Sequence, residues 1–259
     1  MNTSLEAQQS SSIKRGDVVR LGDHVLCCGD AATVDIASLH QGTIDLILTD
    51  PPYAVDYAGS KRGIGKISVD KDIENDGLMN NSEYCKFTKD WLYPALSRLS
   101  AKNSIYVFNS DKMIFALDEA FDALGIKVAQ LLVWIKDRAV IGRLDYLPQH
   151  ELILYGWYGT HLFRRGKDKT VICVPKPAKN ALHPTMKPVT LLRRLILNSS
   201  EIGDVVYDPF GGSGSTLIAC EQTKRRCIMV EIDPEYCATI IARWTHLTGH
   251  DPEIIRREA

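Results

Sequence analysis

Three short apolar runs in this chain each end on an acidic residue where a turn begins: Ile44–Thr49 runs into Asp50, Val205–Asp208 ends on Asp208, and Arg226–Glu231 ends on Glu231. Runs this short and this continuous fit strands buried on both faces, which is the pattern of a parallel sheet. Parallel neighbours need crossover connections, and helix-like periodicity fills the gaps between the runs. Strands are expected at Val18–Leu21, 25–28, 104–108 and 128–134, and helices at 33–40, 82–99, 112–124, 189–198, Ser215–Thr223 and 235–247. Pro94 should kink the helix at 82–99, whose aromatic residues read as core. The alternation predicts an α/β fold with a doubly wound, mostly parallel sheet. With 259 residues, 45% of them hydrophobic, the chain is long enough for one large core.

Charge narrows the function. Lys plus Arg is 31 and Asp plus Glu is 32, so the net charge of −1 provides no global basic field. A basic excess is local: residues 136–182 carry nine Lys or Arg against four Asp or Glu. Arg138, Arg143, Arg164, Arg165, Lys167 and Lys169 are interleaved there with aromatic residues, as in a phosphate-contacting insert or a solvated surface excursion. A Gly-rich stretch at 57–77 with Lys61, Arg62 and Lys66 reads as a long mobile loop. Residues 1–15 read as a flexible tail, and 16–259 as a single domain. No apolar run reaches the roughly 20 residues of a membrane span, and Met1 to Lys14 lacks the apolar core of a signal peptide, so a cytoplasmic protein is expected. Seven cysteines without a C-x-x-C pair argue against disulfides and a zinc site. No metal is expected.

Two strand-end motifs carry the chemistry. In Asp50-Pro51-Pro52-Tyr53 the prolines donate no backbone N–H, so the turn presents carbonyls and a carboxylate, all acceptors, beside a flat aromatic ring. Such a turn suits an NH₂ group on a planar base. Asp208-Pro209-Phe210-Gly211-Gly212-Ser213-Gly214-Ser215-Thr216 opens a helix, where glycines allow close approach of a ligand to the backbone. It lacks the third glycine of a dinucleotide fingerprint and the Gly-Lys-Ser/Thr of a P-loop, which disfavours NAD and ATP. Glu231, 23 residues beyond Asp208 at the next strand end, is placed to accept ribose hydroxyls, or to cap a helix; Asp233 reads as the cap.

Together with His183-Pro184-Thr185-Met186-Lys187-Pro188, these motifs resemble the S-adenosylmethionine-dependent amino-methyltransferases of DNA, and their order resembles the permuted β group of that family. The resemblance spans roughly residues 16–249. It implies a circularly permuted, Rossmann-like methyltransferase fold with a small basic insert. Strand 25–28 would then fill the place after the last C-terminal strand, with Asp30 near a cofactor adenine or capping the following helix. It further implies S-adenosylmethionine held by Asp30, Asp50, His183, Lys187, Pro188, the loop from Asp208 to Thr216, Glu231 and Ile232, with Lys187 near the methionine carboxylate. Asp50, Pro51, Pro52 and Tyr53 would be catalytic on a flipped base, and Ser110 and Asp111 would line its pocket. Asp at the first motif position favours adenine N6 over cytosine N4. The implied partner is double-stranded DNA, contacted through the loop 57–77 and the insert 136–182, with a homodimer and a cognate restriction endonuclease as candidate partners. A silent module that binds cofactor and DNA is the rival reading.

Overall fold

The computed structural model describes residues 13–54, 77–139, 145–161, 163–176 and 186–256. The tail to residue 12 and the loop at 57–76 lie outside the described residues, as do Lys61, Arg62, Lys66, Arg143 and His183.

Among the described residues ten strands form one sheet: β1 (Val18–Leu21), β2 (His24–Cys28), β3 (Ile44–Thr49), β4 (Leu99–Asn109), β5 (Ile126–Ile135), β6 (His150–Tyr158), β7 (Val171–Cys173), β8 (Val205–Asp208), β9 (Arg226–Glu231) and β10 (Glu253–Arg256). Their spatial order is β10-β1-β2-β9-β8-β3-β4-β6-β5-β7. From β2 to β4 all neighbours are parallel, whereas β1, β10 and β6 pair antiparallel. The helices are α1 (Ile36–Leu39), α2 (Asn81–Leu96), α3 (Ile114–Ala123), α4 (Val189–Ser199), α5 (Ser215–Thr223) and α6 (Pro234–Thr248).

Strand side chains alternate between two cores, as a period of two demands. Leu46 and Leu48 of β3 join Leu191, Leu195, Leu217 and Trp244 of α4, α5 and α6 on one face. Ile47 joins Tyr84, Trp91, Leu117 and Phe121 of α2 and α3 on the other, and so does Ile44, because the strand is irregular between Ile44 and Leu46. Helices on both faces explain why these strands read as continuous apolar runs. The helix following β8 packs on one face and the helix following β3 on the other, so the border between these paired strands is a topological switch point, where open α/β sheets hold ligands.

Strand β2 does occupy the place beside β9: the two pair in parallel, from Val25 opposite Ile228 to Cys28 opposite Glu231. His24 fastens this junction. Its Nδ1 accepts the Cys227 N–H at 3.0 Å, and its Nε2 meets Glu221 of α5 at 3.0 Å, where the Trp244 indole of α6 also donates, at 2.8 Å.

Several elements differ from the sequence reading. The helix expected at 33–40 is only α1, because the Asp30 carbonyl takes the N–H groups of Thr33 and Val34 in a separate turn and Asp35 caps the later start. The helix expected at 82–99 continues through Pro94 but stops at Leu96, and β4 begins at Leu99. The larger correction concerns 136–182, which is not one excursion. Its stretch HELILYGWY is β6, inserted between β4 and β5 with Ile153, Leu154 and Tyr155 buried. Gly156 allows that pairing, since a Cβ there would lie 2.3 Å from the Lys127 carbonyl oxygen. None of the cysteines among the described residues is in a disulfide, and all but Cys173 are buried. No helix among the described residues is long and apolar enough to cross a membrane.

Candidate active site

Parallel strands deliver their carboxyl ends to one edge of the sheet, and the acidic residues that terminate β3, β8 and β9 meet there around a cavity of about 230 Å³. One wall is the glycine loop. Buried Asp208 accepts the Thr49 hydroxyl at 2.7 Å and the Phe210 N–H at 3.1 Å, which ties the end of β8 to that of β3. Gly214 adopts φ +79° at the N-cap of α5, and a Cβ there would stand 2.9 Å from Ile240, so a side chain is excluded twice over. Phe210 is rooted in the opposite core against Trp91 and Phe87, at centroid separations of 5.4 and 5.8 Å.

Glu231 organises the next corner. Its carboxylate accepts the Gly212 N–H at 2.6 Å and the Asp233 N–H at 2.9 Å, while its carbonyl accepts the Gly29 N–H at 2.9 Å. Burial pushes the acid up to about 7. Asp208 is likewise pushed up to about 7 by burial. Asp30 lines the cavity and also accepts the Ala32 N–H at 2.9 Å, which closes the turn before α1 while Asp35 caps the helix itself. Asp233 caps α6 as expected.

The far end of the cavity is a chain of charges. Tyr53 donates its hydroxyl to Asp50 Oδ1 at 2.6 Å, and the Lys187 ammonium contacts Asp50 Oδ2. Glu151 Oε2 stands 3.1 Å from Lys187 Nζ and 3.3 Å from the Tyr53 hydroxyl, while its Oε1 meets Lys136 Nζ at 2.7 Å. Burial raises the Asp50 carboxyl above its ordinary range against the pull of Lys187. Burial opposes the Glu151 carboxylate too, but Lys187 and Lys136 outweigh it and hold the group at about 2. For Lys187 the cost of burial is overcome by Asp50 and Glu151, which keep it charged. Tyr53 is raised by burial and by Asp50, so its hydroxyl remains a donor.

Asp50, Pro51, Pro52, Tyr53, Ile232 and most of the glycine loop thus face one cavity. Lys187 lines the same cavity and there contacts the acceptor turn directly. Standing just before Pro188, the N-cap of α4, it is engaged by Asp50 and Glu151 at the acceptor turn. Ser110 and Asp111 fall outside the cavity wall, which Phe108 and Trp134 supply instead. Glu151 and Lys136 were missed altogether. They lie in the basic span 136–182, and strand alternation reports burial without reporting which charges meet.

The basic residues divide. Arg138 is exposed beyond β5, at the edge that holds the site. Arg164, Arg165, Lys167 and Lys169 sit on the segment 163–169, packed on the second half of α4: the Arg164 N–H donates to the Asn198 carbonyl, Arg164 pairs with Glu201, and Asp168 binds Arg194 and Asn198. α4 starts at the site and runs away from it for 11 residues, roughly 16 Å. These four residues therefore lie apart from the cavity, on the side of the second half of α4. Among the described residues no cluster of His, Cys, Asp and Glu could hold a metal ion.

A parallel sheet with an acceptor turn and a glycine loop at its switch point defines the class, and comparison with known proteins agrees. The chain matches the family described as DNA methylase over residues 44–172 and 157–242, and it belongs to that family of S-adenosylmethionine-dependent DNA amino-methyltransferases. Type II methyltransferase M.HpaI of Haemophilus parainfluenzae is 29% identical over 241 residues, covering 83% of this chain and 72% of the relative. Type II methyltransferase M2.DpnII of Streptococcus pneumoniae is 26% identical over 221 residues, covering 78% and 82%. In fold, the chain resembles the DNA modification methylase TTHA0409 of Thermus thermophilus complexed with S-adenosyl-L-methionine (TM-score 0.63, 22% identity, 86% and 93% covered). It also resembles the cytosine-N4-specific PvuII DNA methyltransferase (TM-score 0.65, 16% identity, 83% and 84% covered).

Proposed function

We propose that the protein transfers a methyl group from S-adenosylmethionine to the exocyclic N6 amino nitrogen of an adenine flipped out of double-stranded DNA. One observation carries the reading: the acceptor turn and the glycine loop, 158 residues apart from Asp50 to Asp208 in sequence, face a single cavity. The residues present fit the cofactor. Glu231 offers a carboxylate acceptor for ribose hydroxyls and Asp30 one for the adenine, and the backbone of 208–216 with Ile232 forms the adjoining wall. When bound, S-adenosylmethionine supplies an electrophilic methyl group on a positively charged sulfur.

The chain's own residues then position the nucleophile. Asp50 and the Pro51 carbonyl accept the two amino N–H bonds, which leaves the nitrogen lone pair free to face the methyl. Tyr53 is held by its hydroxyl on Asp50 and Glu151, so its ring plane is fixed before a base stacks on it. Lys187 keeps Asp50 an acceptor, since an ionised carboxylate buried without a cation would protonate. The base must leave the duplex, because a stacked amino group cannot reach a recessed cavity. We place the phosphate contacts at the sheet edge near Arg138 and keep Lys61, Arg62, Lys66 and Arg143 as expected contacts in a single catalytic domain. A second subunit and a cognate restriction endonuclease belong to the same proposal.

Cytosine N4 is the second reading, because the acceptors at Asp50 and Pro51 meet its amino group equally well and the fold is shared with a cytosine-N4-specific enzyme. Incubation with unmethylated DNA and labelled S-adenosylmethionine, followed by nucleoside mass spectrometry, separates the two. N6-methyladenine is the expected product; N4-methylcytosine would correct the base, and no product with cofactor bound would leave a silent binding module.

A further inference from the structure

Lys136 is a buried cation facing the cavity with donors to spare. It is 5% exposed, lines the cavity beside Trp134 and Phe108, and lies 5.3 Å from the Trp134 ring centroid. An ammonium carries three N–H donors. Lys187 directs its own toward Asp50, Glu151 and, at 3.4 Å, the Tyr53 hydroxyl, whereas among the described residues the Lys136 ammonium contacts one oxygen, Glu151 Oε1 at 2.7 Å. A cation at this depth without further acceptors is costly, and a ligand that brings one relieves that cost.

The ligand of the amino-methyltransferase reading brings such an acceptor. Beside the carbon that bears the amino group, both adenine and cytosine carry a ring nitrogen with a lone pair in the plane of the base. Seated with its amino group on Asp50, the base turns that nitrogen toward one side of the acceptor turn. Glu151 links the two sides, with one oxygen on Lys187 beside Asp50 and the other on Lys136. We infer that Lys136, held in place by Glu151, donates a hydrogen bond to the ring nitrogen next to the reacting amino group and so reads the amidine edge of the target base. Lys136 is then a specificity-determining residue and Glu151 its positioning residue.

The inference rests on that reading, and the test distinguishes failure of one from failure of the other. Oligonucleotides carry the mapped target either as adenine or as 1-deazaadenine, in which a C–H replaces the ring nitrogen; for a cytosine target, 3-deazacytosine serves. Wild type should lose at least about tenfold in kcat/KM on the deaza base, the scale of a hydrogen bond to a charged group. Lys136→Met should be slower on the natural base and nearly indifferent to the replacement. Lys136→Arg, which keeps a donor, should retain discrimination, and Glu151→Gln should weaken it. Cofactor binding and melting temperature identify any variant that fails to fold, and the wild-type comparison stands without them. Equal rates of wild type on both bases, or full discrimination by folded Lys136→Met, would overturn the inference. Absence of methylation on the natural base would overturn the reading beneath it.

Discussion

Tyr53 and Asp50 meet through a 2.6 Å hydrogen bond, so each fixes the other as well as the base. Replacing Tyr53 with Ala removes the stacking face and one of the donors to Asp50, and transfer should fall by about 100-fold or more while cofactor affinity holds within a few-fold. Calorimetric titration beside a rate assay checks this, and a parallel loss of affinity would mean that the residue serves the cofactor. Glu231 carries a pH signature. Its carboxyl titrates near 7, above the ordinary 4.5, and ribose hydroxyls donate to the ionised form. Affinity for S-adenosylmethionine should therefore rise from pH 6 to pH 8, by up to roughly tenfold, and flatten in Glu231→Gln. A flat wild-type profile would place the ribose elsewhere. Asp50, Asp208 and Glu231 were legible in sequence because each ends an apolar run. Lys136 and Glu151 were not, since their meeting depends on β5 and β6 pairing across a span that composition alone presents as a basic insert.

Among the elements, the junction of β2 with β9 is where the permuted chain closes. His24 accepts the Cys227 N–H on Nδ1, so its Nε2 carries the proton toward Glu221 and the ring is neutral. Burial lowers its pKa below the ordinary 6.5. In the unfolded chain His24 takes up a proton as pH falls below 6.5, and in the folded chain it resists, so its contribution is present above pH 6.5 and lost progressively below it. His24→Gln should cost about 1–3 kcal/mol at pH 8. Thermal melts at pH 8 and pH 5 should show the gap between wild type and variant shrinking at the lower pH, by up to about 2 kcal/mol. A constant gap would contradict the neutral buried ring. The position of β2 was readable because a doubly wound half lacked a strand that residues 25–28 could supply. The brevity of α1 was not, because Asp30 and Asp35 both have cap chemistry and only the backbone shows which turn each closes.

For the whole molecule, β3 and β8 meet at a switch point with helices departing to opposite faces, and the cavity opens there. A ligand bound there bridges elements from both ends of the chain and should raise global stability by mass action. S-adenosylmethionine at 100 times its Kd should add about 2.7 kcal/mol, seen as a rise in melting temperature, whereas NAD should add nothing. Stabilisation by NAD and not by S-adenosylmethionine would reverse the assignment of the glycine loop. Charge alone did not show how the basic residues are distributed: those at 164–169 look no different in sequence from Arg138, and only the course of α4 shows that they lie apart from the cavity.

The central claim is that Asp50 activates an exocyclic amine of DNA at this cavity. Wild type and Asp50→Ala, each confirmed folded and bound to S-adenosylmethionine, should be incubated with the same unmethylated DNA and their digests compared by nucleoside mass spectrometry. The account predicts N6-methyladenine from wild type and none above background from the variant. Equal methylation by both, or none by a cofactor-bound wild type, would contradict it.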